Sequence, residues 1–118
     1  MLRKRSPIDY LYDILAVSEK AMAFTSGMDY YQFQKDEQIQ FTVIRALEVI
    51  DEAAKRIPDD IRERHPAIAW REMSGMRDKM IHEYMRIDKE EVWKTVQEDI
   101  PGLLEGLKVV ISTEEDSS

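Results

Sequence analysis

Helix breakers are scarce in this chain and several fall at the ends of apolar repeats, which points to a helical fold. Only four glycines and four prolines occur in 118 residues. Ser6 followed by Pro7 reads as an N-cap with a first-turn proline. Ile8, Leu11, Leu15 and Met22 then recur at helical spacing until Gly27 stops the run. MDYYQFQKD, residues 28–36, reads as an irregular or single-turn connection. Asp36 caps a second helix whose stripe is Ile39, Val43, Leu47, Ile50, Ala54 and Ile57, ended by Pro58.

PDDIRERHP is a connector with room for one helical turn between its prolines, and a third helix is predicted from about Ala67 to Arg86. Asp88 and Glu91 have the spacing of a capping box, opening a fourth helix through Val92, Trp93 and Val96. Pro101 and Gly102 kink or split it, and Leu103, Leu107 and Val110 form its last turns. Alternating strand patterns are absent. Long helices with short connections predict an all-α, antiparallel bundle of four to five helices. One domain spans 1–118, with 113–118 expected to be a frayed acidic tail.

Composition removes several function classes. There are no cysteines, which excludes a disulfide framework, a thiolate nucleophile and a zinc–thiolate site. Two histidines without ligand-like spacing give no support for a metal site, so no metal or cofactor is expected. No apolar run approaches a membrane span, and the basic N-terminus lacks the h-region of a secretory signal, so cytoplasmic residence is the expectation. A net charge of −7 confines any nucleic-acid contact to local basic patches. The candidates are Arg3–Arg5, Arg62–His65, and the group Arg71, Arg77, Lys79 and Arg86. Glu48, Asp51 and Glu52 read as a solvated face, and the seven methionines as core filler.

The stretch RDKMIHEYMRI, residues 77–87, gathers Arg77, His82 and Tyr84. On a regular helix Met73, Met76, Met80 and Ile87 form the apolar face, with Arg77 and Tyr84 along its edge. His82 would stand about 140° from Arg77, beside Asp78, whose carboxylate can fix the imidazole tautomer. Arg77 and His82 then meet only if the helix loosens near Glu83 or a second copy contributes across a two-fold axis. The small pair Ser74–Gly75 would permit such close approach. Taken alone, these side chains read more readily as surface and boundary residues of a buried helix than as a site.

Arg77-x-x-x-x-His82-x-Tyr84 resembles the signature of HEPN-domain RNase toxins of the HepT family. The resemblance extends over DYLYDILAVSEKAMAFTSGM, then VIRALEVIDEAAKRIPDDIRERHPAIAWREMSGMRDKMIHEY, then EEVWKTVQEDIP, which is most of the chain. Asp51 and Glu83 depart from it, since many relatives have glycine at both positions. The resemblance implies a HEPN-like bundle forming a two-fold homodimer, with the site at the interface. It also implies a metal-independent endoribonuclease acting on an RNA substrate. His82 would be general acid or base, Arg77 the phosphate clamp and Asp78 the group that orients His82. It further implies a partner, an MNT-type nucleotidyltransferase antitoxin (MntA), that transfers AMP to Tyr84. The alternative is a non-catalytic helical partner of such a nucleotidyltransferase, which the net acidity favours.

Overall fold

The structure, a computed structural model, describes residues 4–82 and 86–117, the side chain of His82 excepted. Three long helical stretches carry the architecture. Helix α1 (Pro7–Thr25) packs antiparallel on α3 (Glu37–Ala54), and α8 (Ile100–Asp116) lies against α1. Between them run α2 (Tyr30–Lys35), α4 (Asp59–Arg64), α5 (Trp70–Met73), α6 (Met76–Met80) and α7 (Lys89–Lys94). Strands β1 (Ile81–His82) and β2 (Arg86–Ile87) form a single antiparallel pair. The all-α bundle read from the sequence is the fold observed.

Each start is set by a cap the sequence announces. Ser6 and Asp9 form a reciprocal capping box at α1, worth about 1 kcal/mol. Asp36 accepts from the Ile39 N–H at 3.0 Å, and Asp88 from the Glu91 N–H at 3.1 Å. Gly27 leaves α1 at φ 78°, a left-handed conformation that suits glycine. The connection after it is more regular than its sequence suggested. Asp29 and Gln32 make a second capping box, and the short α2 buries Phe33 against Trp93 at 5.2 Å between ring centroids.

The core is apolar and continuous: Leu11 and Ile14 from α1, Val43, Leu47 and Ile50 from α3, Met80 from α6, and Ile100 and Leu107 from α8. Met73, Met76 and Met80 are all buried, as core filler should be. The buried stripe of α1 is Leu11, Ile14, Ser18, Ala21 and Thr25, with Leu15 and Met22 only partly covered. Helix α7 passes into α8 through a π-helical turn, Thr95–Asp99. Pro101 has no N–H for the preceding turn and crowds its carbonyl, so the backbone widens just upstream. Among the described residues no helix is long and apolar enough to cross a membrane.

Two expectations are corrected. The third helix does not run from Ala67 to Arg86. It breaks at Ser74–Gly75 and ends at Met80, where Ile81 turns extended at φ −119°, ψ 118°. The Asp88 N–H closes that end on the Met80 carbonyl at 2.8 Å, and Ile81 sits opposite Ile87. Two β-branched residues facing each other over the core favour extended backbone there.

The second correction concerns the acidic tail, which is helical through Asp116. Glu114 is buried, and its carboxylate takes two bonds from Arg64, at 2.7 and 3.2 Å, and lies 2.7 Å from His65 Nε2. This clamp ties the α4–α5 connector to the last helix. The bonds from Arg64, then His65, hold the Glu114 carboxyl at about 2, against an ordinary 4.5. A depressed carboxylate stabilises the fold above its unfolded value and loses that contribution as pH falls from about 4.5 towards 2. Thermal melting should therefore drop on acidification through that window, and Glu114→Gln should show a flatter drop from a lower starting point. Parallel curves for the two proteins would refute the clamp.

Candidate functional site

The break at Ser74–Gly75 creates the site's framework. Ser74 turns its hydroxyl back onto the Trp70 carbonyl at 3.0 Å, and Gly75 begins α6 with no side chain to cap it. The missing cap comes from another helix. Asp51 of α3 accepts the Arg77 main-chain N–H at 2.9 Å through Oδ2, while its Oδ1 pairs with Lys55 at 2.8 Å. Its side chain is only 4% exposed. A buried N–H left without a partner costs about 1–3 kcal/mol, so Asp51 fixes where α6 starts. In turn the carboxylate holds the Lys55 ammonium above its usual range.

Arg77 is tied at its side chain as well. Its Nε donates to Glu48 Oε2 at 3.3 Å, and the guanidinium remains half exposed. Glu48 and Asp51 on α3, and Lys55 capping its end, stand at i, i+3 and i+7, one face turned towards α6. The reading of Glu48, Asp51 and Glu52 as a solvated face is thus corrected: only Glu52 fits it. Sequence reasoning missed Glu48 and Asp51 because their partner lies 26 to 29 residues away.

The remaining site candidates separate by element. Asp78 is exposed on α6 and adds to the field that raises Lys55. His82 lies in β1, two residues past the end of α6, so the helical spacing that set it beside Asp78 and 140° from Arg77 does not apply. The ladder instead sets Arg86 directly across from His82 as its Cα partner. Tyr84 and Glu83 lie outside the described residues, as does any contact of the His82 ring.

Of the three basic patches, Arg62–His65 has structural work. Arg62 donates to the Ala54 and Ile57 carbonyls, closing the end of α3, and Arg64 and His65 hold Glu114. Ser74–Gly75 is a helix break, not a smooth face for a second helix. Among the described residues no three His, Asp or Glu side chains cluster in a way that would hold a metal ion.

The fold is an all-α bundle of the HEPN-like class, with Arg77 on a short helix capped by Asp51 and His82 five residues further on. The chain belongs to the HepT-like ribonuclease family: the family described as "Ribonuclease HepT-like" matches residues 14–110. It is 52% identical over 100 residues to "Probable ribonuclease HepT" of Thermococcus cleftensis, covering 85% of this chain and 91% of that protein. It is 43% identical over 113 residues to "Putative RNase MJ0125" of Methanocaldococcus jannaschii, covering 96% and 97%. A second protein of that organism, "Putative RNase MJ1216", is 43% identical over 108 residues, covering 92% and 89%. No solved structure matches.

Proposed function

We propose that this protein is the toxin of a HEPN/MNT toxin–antitoxin pair, a metal-independent endoribonuclease acting in the cytoplasm. The observation that carries the reading is Arg77. In a chain of a ribonuclease family, its main chain is held by Asp51 and its guanidinium by Glu48, five residues before His82. The RNA 2′-hydroxyl attacks the adjacent phosphorus, the bond to the 5′ oxygen breaks, and a 2′,3′-cyclic phosphate and a 5′-hydroxyl result. His82 moves the proton, as general base towards the 2′-hydroxyl or general acid towards the 5′ oxygen. Arg77 lays a planar donor fork against the charge that builds on the phosphate. Asp78 is the supporting residue of the motif, the group that the family resemblance implies for orienting His82. The active unit is a homodimer, as the family resemblance implies.

Tyr84 is the regulatory residue in this reading. A nucleotidyltransferase antitoxin directs the phenolic oxygen at the α-phosphorus of ATP, pyrophosphate leaves, the phenolic proton is released, and AMP stays on Tyr84. The added phosphate repels RNA two residues from His82. Incubation with an MNT-type antitoxin and ATP should add AMP mass to the wild type and none to Tyr84→Phe, with cleavage silenced only in the former. An undiminished mass shift on Tyr84→Phe would assign the modification elsewhere. A non-catalytic partner remains the second reading, favoured by the net charge of −7. It predicts the AMP shift with no RNA cleavage at all.

A further inference from the structure

A cleft of about 300 Å³ opens between α1 and α3, lined by Tyr10, Asp13, Arg45, Glu48, Glu52 and Arg56 among others. It adjoins the site directly, since Glu48 is both a wall of the cleft and the carboxylate that holds Arg77. Three of its walls are acidic, which on charge count alone would keep RNA away. Each carboxylate is, however, already engaged by an arginine: Asp13 by Arg5, Glu48 by Arg77 at 3.3 Å, and Glu52 by Arg56 at 3.6 Å. Arg45 is left over. It is exposed, and it has no hydrogen-bond or ion-pair partner among the described residues.

Arg45 precedes Glu48 by three residues on α3, so the two Cβ atoms stand about 5–6 Å apart on one face. The guanidinium of Arg45 therefore lies one side chain away from the Glu48–Arg77 pair, along the cleft. Among the described residues it is the cleft's uncommitted cation, open to an anion arriving from solvent.

From this we infer that the α1–α3 cleft is a second RNA subsite, in which Arg45 binds the backbone phosphate of a nucleotide flanking the one held at Arg77. The identity of the ligand as RNA rests on the ribonuclease reading; the uncompensated cation beside Arg77 does not. A contact of this kind fixes the strand's register without reading its bases. In the cleft Asp13, Glu48 and Glu52 each face an arginine, so a strand reaching Arg45 meets no unpaired carboxylate there.

The test uses the full chain and a fluorescein-labelled single-stranded 2′-O-methyl oligoribonucleotide, which has no free 2′-hydroxyl and cannot be cleaved. Binding is followed by anisotropy between about 50 and 200 mM salt. Arg45→Ala should raise Kd about tenfold, the size of one charged hydrogen bond. It should also make the log–log salt dependence shallower by about 0.7, one phosphate's share on a single strand. Arg45→Lys should keep the wild-type salt slope, because the charge remains. Lys108→Ala, an exposed lysine of α8 paired with Glu105, serves as the control and should bind as the wild type does. Wild-type binding by Arg45→Ala overturns the subsite, and so does an equal loss from Lys108→Ala, which would mean diffuse charge attraction. Because the probe is inert, the two readings fail separately. Arg45-dependent binding by a protein that cleaves no RNA keeps the subsite and removes the nuclease. Cleavage without an Arg45 effect does the reverse.

Discussion

His82→Ala is expected to cut RNA cleavage by about 10²–10⁴-fold, the contribution of one positioned proton-transfer group. The fold should survive, because helix α6 ends at Met80, and the strand pair that holds His82 is joined through main-chain atoms that alanine retains. Gel analysis of a labelled RNA, beside a thermal melt of both proteins, separates the two properties. Unchanged cleavage by His82→Ala would remove His82 from the mechanism.

Arg77→Ala should lower kcat by about 10²–10³-fold, the cost of losing one donor aimed at transition-state charge. What makes this substitution informative is that Arg77 is anchored twice by different atoms. Its main-chain N–H to Asp51 persists when the side chain is alanine or lysine, so α6 keeps its cap and its position. Only the guanidinium and its bond to Glu48 are lost. Arg77→Lys should recover little, because an ammonium is a point donor without a planar fork and has no Nε with which to hold Glu48. Steady-state kinetics should show the loss mainly in kcat. A rise in KM with kcat unchanged would make Arg77 a binding residue alone.

Much of the fold was legible because its signals are local. Ser6–Pro7, Asp36 and Asp88 cap helices where they stand, and the stripe through Val43, Leu47 and Ile50 is the buried face of α3. What failed was anything decided by a distant partner. Glu114 belongs to an acidic run, yet is buried because Arg64 and His65 meet it some 50 residues away in sequence. Asp51 looked solvated between two other acids until its carboxylate met the Arg77 N–H. The break in the third helix was masked for a different reason. Met73, Met76 and Met80 keep helical spacing across Ser74–Gly75, so the apolar period survives an interruption of the backbone. In the candidate site, the residue pattern singles out Arg77 and His82, but a regular helix misplaces them relative to each other, because α6 stops at Met80. Arg86, opposite His82 in the ladder, carried no local signal beyond its charge.

In the proposed reaction RNA is cut by its own 2′-hydroxyl under the action of Arg77 and His82, without a metal ion. Mass spectrometry of the ends produced from a short RNA, with excess EDTA present throughout, tests it most directly. Continued cleavage is expected, with 2′,3′-cyclic phosphate on one fragment and 5′-hydroxyl on the other. Fragments ending in 3′-hydroxyl and 5′-phosphate, or cleavage that EDTA stops and added magnesium restores, would contradict it.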